Sequence, residues 1–302
     1  MKLSIVTVNF NSSESTLSMI SSVERSLRGC GYSYEIIVID NASHEADYQQ
    51  LVEVVGIRLI RSEVNGGFAA ANNIGFEASR GEYVMLLNND TTIKEDIFVG
   101  MMDFMGDRPE IGILSPTIVY DREPYIVQYG GYRQGDRYLF DIVSILHGRG
   151  ISEIPHEAVR CSFGHGAALM ISREALLRIG AMREDYFLYF EEIDFSLCAQ
   201  RLGYEIWYYP RSIVYHNASA TVAQINSGKI YYNSRNRLYL ATNNLRGWNR
   251  IWAISLQLGF SFPKSVLKFL IKGRRAEALA YIAGVWAFVR GKRGKRDKQQ
   301  GK

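Results

Sequence analysis

The sequence predicts an α/β fold, a Rossmann-like mixed sheet flanked by helices, with a basic helical extension after it. Three observations carry that reading. Short β-branched apolar runs alternate with helix-length segments four times in about the first hundred residues, the pattern of strand–helix–strand units. Three of these strands run into Asn or Asp, which delivers polar groups to one edge of a sheet. Beyond about residue 220 the pattern becomes helical, amphipathic and increasingly basic.

The elements follow in order. Residues 3–8 are β-branched and apolar and form a buried first strand; Ser4 and Thr7 break the run too early for a signal peptide. Residues 13–27 carry Leu17, Ile20, Val23 and Leu27 at helical spacing. A second strand over 34–39 ends at Asp40-Asn41, a helix follows over 47–55, and 57–60 is a short strand. The alanine-rich stretch 67–78 is helical, 83–87 is a strand running into Asn88-Asn89-Asp90, and 93–105 is a helix. Residues 111–159 are irregular and rich in Gly, Tyr and Arg, with strand-like pieces at 118–120 and 125–129. Then come a strand over 167–171, helices over 173–179 and 191–202, and strands over 205–209 and 212–215. The expected organisation is one α/β unit over 1–225, in two halves meeting near residue 110, and a helical region over 226–302.

Composition excludes several classes. With 302 residues, 47% hydrophobic and 22% charged, the chain is long and apolar enough for a full core and is not disordered. Its three cysteines, Cys30, Cys161 and Cys198, are widely spaced, which argues against a disulfide framework or a thiolate zinc site and fits a reducing compartment. No uncharged apolar run reaches the ~18 residues of a spanning helix. The formal charge of +4 conceals an asymmetry. Residues 264–302 hold twelve Lys/Arg against two acids, a local +10, which leaves −6 on residues 1–263. Such a split points to an anionic surface, membrane or nucleic acid, as partner of the tail.

The chemistry collects at the strand ends. Asn9 and Asn11, Asp40-Asn41 and Asn88-Asn89-Asp90 each serve singly as ordinary turn residues. Together, at successive strand ends, they suit a ribose, a base and a metal-bound phosphate. No G-x-G-x-x-G follows the first strand and no P-loop is present, which argues against a nicotinamide dehydrogenase and against a P-loop NTPase. Asp90 is the natural carboxylate ligand for Mg²⁺ or Mn²⁺, ions that take one or two protein carboxylates and complete the shell with substrate phosphate. The stretch from Asn65 through Gly67, Asn72 and Asn73 to Gly75 puts small residues at a helix start, where backbone approaches closely and an anion is favoured.

A second cluster, Tyr189-Phe190-Glu191-Glu192-Ile193-Asp194, sets three acids at a helix start between aromatics. Acids are favoured there by the helix dipole alone. Aromatic flanks would also desolvate them and hold one as a general base. Glu191 and Asp194 share a face at i, i+3 and Glu192 points elsewhere, so one glutamate is the base and the other acids hold helix and loop. His216, at the end of a strand, is a second candidate metal ligand.

In this order the motifs 5–11, 38–43, 65–75, 86–91, 166–170 and 189–194 resemble those of the family 2 glycosyltransferases of GT-A fold, in particular the bacterial rhamnosyltransferase-like branch. The resemblance covers roughly residues 3–217. It implies a nucleotide-diphospho-sugar donor, with dTDP-L-rhamnose first and UDP-hexoses behind it. Asp40 would meet the base or ribose with help from Thr7, Asn9 and Asn11, and Asn65, Gly67, Asn72, Asn73, Asn89 and Asp90 would complete the donor site. The triplet Asn88-Asn89-Asp90 stands where the family has its DxD-type metal motif, so Asp90 is its one carboxylate, and His216 matches a metal-binding histidine of some relatives. Glu191-Glu192 replaces the usual Glu-Asp pair; the second member is the family's base, which favours Glu192 and keeps Glu191 as the alternative. The implied activity is inverting, metal-dependent transfer to a hydroxyl of a lipid-linked glycan in surface polysaccharide synthesis.

Tyr189, Tyr232 and Arg235 are the expected acceptor contacts, although the Tyr/Arg mix of 230–244 equally suits a helix packed on the body. Trp252 and Trp286 lie among basic residues in the tail, the signature of helices lying in a membrane interface. The expected location is therefore the cytoplasm, peripheral on the inner face of the cell membrane, with 264–302 on anionic lipid. Nucleic acid is disfavoured, because no recognition motif accompanies the tail and the acidic body repels phosphate. A non-catalytic glycan-binding protein is the remaining rival.

Overall fold

The computed structural model describes residues 1–217 and 226–296. The predicted boundary at 225, the start of the helical character near 220 and the last six residues of the basic tail lie at or outside these limits.

The strands are β1 (Leu3–Asn9), β2 (Tyr34–Asn41), β3 (Ile57–Ser62), β4 (Tyr83–Leu87), β5 (Thr91–Thr92), β6 (Ile111–Tyr120), β7 (Val127–Tyr129), β8 (Tyr132–Gln134), β9 (Ile142–Ser144), β10 (Val159–Cys161), β11 (Ala168–Ser172) and β12 (Glu205–His216). The main sheet runs β10-β12-β6-β11-β4-β1-β2-β3. The pairs β1–β2, β1–β4, β2–β3 and β6–β12 are parallel. β11 runs antiparallel to both neighbours, with Ala168 opposite Leu87 and Met170 opposite Leu114. The sheet is therefore mixed, as the sequence implies, with one reversed strand at its centre.

Helices α1 (Ser13–Ser26), α2 (Glu45–Val52), α3 (Gly67–Ala78), α4 (Phe98–Gly106), α5 (Arg173–Ile179) and α6 (Glu191–Arg201) flank it. Met19, Ile20 and Val23 of α1 and Met101, Met102 and Met105 of α4 fill the core on one face. Ala69, Ala71 and Phe76 of α3, Ala175 and Leu176 of α5, and Phe195 of α6 fill the core on the other. α3 lies close on β1 because Gly75 has no Cβ; one built there would sit 2.2 Å from Val6 Cγ1.

Three expectations shift. The helix expected over 93–105 begins at Phe98, since Asp96 Oδ1 accepts from the N–H of Phe98 and Val99 and holds the preceding turn open. β6 extends back to Ile111: Gly112 and Pro116 read as breakers, yet the strand is buried almost throughout and Gly112 makes room for the Tyr204 ring. The pieces 205–209 and 212–215 are one strand, β12, whose register slips between Tyr209 and Ile213, around Pro210.

Helices α7 (Asn226–Asn244), α8 (Gly247–Leu256), α9 (Phe262–Ile271) and α10 (Arg275–Val289) follow. They share a core with the α/β unit, in which Tyr239, Leu240 and Ala241 of α7 meet Tyr186, Phe190 and Ile193. Among the described residues no helix is long and apolar enough to cross a membrane. α10 is seated on α7 at Gly284, where an added Cβ would lie 2.0 Å from Ser234 Oγ and 2.3 Å from the Tyr231 carbonyl oxygen. Gly284→Ala should therefore cost about 1–3 kcal/mol of stability through overpacking, read as a lower urea midpoint. An unchanged midpoint would contradict this close packing.

Candidate active site

The strand order reverses its sense around β1, with β2 on one side and β4 on the other, and open α/β sheets bind ligands beyond the carboxyl ends of the strands at such a switch point. Phe10 and Asn11 lie at the end of β1, and Asn88, Asn89 and Asp90 at the end of β4. Phe10 is an exposed aromatic there, 46% accessible, which sequence reasoning passed over. Asn11 is exposed in a left-handed conformation (φ 52°), with its Oδ1 accepting from the His44 N–H.

Asp90 and His216 meet because β12 ends against β5, just after Asp90, with His216 in register with Thr91. His216 Nε2 stands 3.1 Å from Asp90 Oδ1. On its other side, His216 Nδ1 is 2.7 Å from Gln128 Oε1; with the ring proton on Nδ1, a lone pair on Nε2 would face Asp90. Asp90 Oδ1 is buried and forms no hydrogen bond of proper geometry. The separation of Asp90 Oδ1 and His216 Nε2 is close to the ~3 Å between adjacent corners of an octahedron with bonds of about 2.1 Å. Among the described residues no third His, Cys, Asp or Glu joins them. The pair fits a Mg²⁺- or Mn²⁺-type ion whose remaining positions are filled by substrate oxygens and water.

The acidic cluster reaches the same edge from the opposite half. Because β11 is antiparallel to β4, its start lies at the end of β4, where the Asn88 N–H donates to the Ala167 carbonyl at 2.9 Å. The Glu192 carboxyl carbon lies 3.8 Å from where a Gly166 Cβ would be, and the Phe68 ring borders the same spot. Glu192 is half-buried, and burial raises its carboxyl above the usual range. Glu191 is buried, with an Oε1 that has no hydrogen-bond partner. Burial first, and the neighbouring Glu192 second, push its carboxyl well up. Asp194 anchors the helix: it accepts from Tyr186 Oη at 3.1 Å and Asn244 Nδ2 at 2.5 Å and pairs with Arg183 at 3.3 Å. Glu191 and Asp194, which share a face, are turned inward, and Glu192 is the more open of the three.

His165, which the sequence reading did not single out, packs beside Gly166 against the Tyr129 and Tyr132 rings. Its Nδ1 accepts from the Ala167 N–H at 3.1 Å, and burial lowers its pKa to about 3, so it stays neutral.

Several predicted contacts are corrected. Thr7 is buried on the α1 face of the sheet and does not reach the crevice. Asn9 is fully buried: its Nδ2 donates to Asp40, Ser43 and Asp47 and its Oδ1 accepts from Thr16. Asp40 is equally buried, accepting from Asn9 and the Ser43 N–H with Arg61 3.8 Å away, and shapes the 40–43 turn from beneath. Asn72 donates to the Phe68 carbonyl within its own helix. Asn73 is spent on Met182 and Glu184, docking α3 to the second half. Gly67 (φ 89°) makes room for protein rather than ligand, since a Cβ would lie 2.2 Å from the Phe187 carbonyl oxygen. Asn65, partly exposed, accepts from the Gly67 N–H, and Asn89 donates to Thr16.

Of the acceptor candidates, Tyr189 is partly exposed in the loop before α6. Tyr232 and Arg235 face inward instead. The Tyr232 ring stacks on Phe187 and its hydroxyl accepts from the Arg296 N–H, while Arg235 is fully buried among backbone carbonyls. Neither is available to an acceptor, because the helix that carries them packs on the loop instead of lining a groove.

The family Glycosyl transferase family 2 matches residues 4–180. The chain is 30% identical over 249 residues, 80% of its length and 76% of the relative's, to the low-salt glycan biosynthesis hexosyltransferase Agl10 of Haloferax volcanii. In fold it is similar to the mannosyltransferase PcManGT of Pyrobaculum calidifontis, solved with GDP-Man and Mn²⁺ (TM-score 0.59, 13% identity, 96% of this chain and 88% of that one). It is also similar to GalNAc-T7, solved with UDP, GalNAc and Mn²⁺ (TM-score 0.60, 16% identity, 79% of this chain), of which it spans about half the length, 51%.

Glu191 yields a prediction on stability. Its folded-state pKa is raised above the ordinary 4.5, so the fold prefers the protonated form. That stabilisation is complete below the unfolded value and is lost as pH rises through the raised one. Glu191→Gln mimics the neutral acid, so it should melt above the wild type at about pH 8, with the gap closing towards about pH 4. A pH-independent gap would refute the desolvated carboxyl.

Proposed function

The chain belongs to glycosyl transferase family 2, and on that premise we propose that it transfers a sugar, with inversion, from a nucleotide-diphospho-sugar to a hydroxyl of a lipid-linked glycan. The observation that carries this is the convergence of Glu192 with Asp90 and His216 at one sheet edge through Gly166, Ala167 and Asn88.

Phe10 supplies a platform for the nucleobase, with Asn11 next in the chain and Asn65 beside Asn41 at the end of β2. Asp90 and His216 would hold a divalent cation, which as a Lewis acid offsets charge on the diphosphate leaving group. Glu192, its affinity for a proton raised by burial, takes the proton from the acceptor hydroxyl. The acceptor oxygen bonds to the anomeric carbon from the face opposite the leaving group. The bond from that carbon to the diphosphate oxygen breaks, and the nucleoside diphosphate keeps the electron pair. Glu191, kept protonated by burial and by Glu192, avoids a second negative charge beside the base. The proposed donor is dTDP-L-rhamnose, on the sequence motifs of the rhamnosyltransferase-like branch. The similarity to a protein named hexosyltransferase favours a second reading, a UDP-hexose donor.

The acceptor side is read from the last helices, each of which exposes an apolar stripe. Trp248, Ile251 and Trp252 lie on one face of α8, Leu267 and Ile271 on α9, and Leu279 and Trp286 on α10. Lys264, Lys268, Lys272, Arg274 and Arg290 border them, with Arg290 4.9 Å over the Trp286 ring. Apolar stripes rimmed by cations suit an anionic lipid surface, where each basic residue adds ~1 kcal/mol. The proposed location is peripheral, on the cytoplasmic face of the membrane.

Glu192→Gln should lower nucleoside diphosphate release by about 10²–10⁴-fold with donor affinity retained; wild-type turnover would overturn its role. Asp90→Ala should lose the part of donor binding that chelator removes from the wild type, and donor binding unaffected by chelator in both proteins would overturn the metal site. On anionic vesicles the wild type should float, and Trp248→Ser/Trp252→Ser/Trp286→Ser should not. Equal flotation would refute the membrane face.

A further inference from the structure

The loop 185–190, which leads directly into Glu191 and Glu192, has an unusual backbone. Phe187, Tyr189 and Phe190 are all left-handed, with φ of 67°, 70° and 81°. Each such non-glycine residue costs of order 1–3 kcal/mol, so the surroundings must hold the loop in place. One side is held by α3, where the Phe68 N–H donates to the Phe187 carbonyl at 2.9 Å.

The other side is held by two adjacent residues of α7. Asn236 Nδ2 points at the carbonyls of Tyr186, Leu188 and Tyr189, at 3.0, 2.8 and 3.0 Å. Arg235 Nη2 donates to Tyr186 at 2.7 Å, and its Nε donates to Asn236 Oδ1 at 2.9 Å, which turns the Asn236 amide nitrogen towards the loop. The C-terminal segment then closes over this pair. Arg235 Nη1 donates to the Gly294 carbonyl at 2.8 Å, and the Gly294 N–H donates to the Asp185 carbonyl at 2.8 Å. Arg293 pairs with the Asp185 carboxylate, Tyr239 Oη donates to the Lys292 carbonyl, and the Arg296 N–H donates to Tyr232 Oη.

We propose that Arg235 and Asn236 are positioning residues for the catalytic glutamates, and that residues 292–296 form a strap that keeps this clamp closed on the loop. The inference rests on Glu192 as the base. The basic segment after α10 thus has a second task besides meeting lipid: it fixes the direction from which α6 presents Glu192 to Gly166.

Two variants test this in the full chain. Asn236→Asp keeps the size but turns a donor into an acceptor facing three carbonyls; Arg293→Ala removes the half-exposed outer pair with Asp185 and the guanidinium 4.9 Å over the Tyr239 ring, and leaves Arg235 and Asn236 in place. With dTDP-L-rhamnose and UDP-glucose as donor probes, kcat should fall by about 10²-fold in Asn236→Asp and several-fold in Arg293→Ala, with donor KM within about two-fold. Amide exchange over 185–190 should quicken in both, while β2 exchanges as in the wild type. Should Asn236→Asp fail to fold, Arg293→Ala and Asp185→Asn carry the test. Wild-type kcat with unchanged loop exchange would overturn the proposal, as would faster exchange spread evenly over the molecule. Glu192→Gln assayed alongside separates the two readings: if it retains turnover the base assignment falls, while loop exchange in Arg293→Ala still decides the strap.

Discussion

The reversed direction of β11 is the constraint on which the site depends. A strand parallel to β4 would begin at the far edge of the sheet. Because β11 runs the other way, Gly166 and Ala167 lie beside Asn88, at the carboxyl end of β4. Glu192 packs at Gly166 and so lies at the same edge of the sheet as the 88–90 segment. Both halves of the chain thereby bring groups to one edge of the sheet, Asp90 from the first and Glu192 and His216 from the second. Gly166 matters for its lack of a side chain, which leaves the carboxyl and the Phe68 ring in van der Waals reach of the backbone.

Electrostatics divides the charged groups into two kinds. Asp194 is buried but satisfied, accepting from Tyr186 and Asn244 and paired with Arg183. Glu191 lacks such support at Oε1, and burial raises both its carboxyl and that of Glu192. Carboxyls perturbed in this way cluster at functional sites. On the donor side, Asp90 Oδ1 lies 3.1 Å from His216 Nε2 without a well-formed hydrogen bond, a pair of atoms that could serve a cation together.

Much of the fold was legible in the sequence because alternating β-branched and helical segments have only a few compatible arrangements. The helix 67–78 and the strand 83–87 matched their predicted limits, because Gly and polar residues mark both ends. The site was legible to a lesser degree. Polar residues at a strand end look alike whether they face out or in, and Asn9 and Asp40 face in. Alternation along β1 puts Thr7 on the α1 face, a detail that needs the register of the sheet. Tyr232 and Arg235 show the same limit: an Arg beside Tyr on an amphipathic helix reads as a ligand groove until the helix is seen to pack on a loop of free carbonyls.

By itself the sequence determined the fold class, the family motifs, the acidic cluster at the start of α6 and the separation of an acidic body from a basic tail. These are local properties of spacing and composition, and they survive without coordinates. Tertiary structure decided which polar groups are free to act. The meeting of Asp90 with His216, the reach of Glu192 to Gly166 and the closing of residues 292–296 over Arg235 all join segments distant in sequence. Each depends on register or on helix docking, where a shift of one residue turns a side chain to the opposite face.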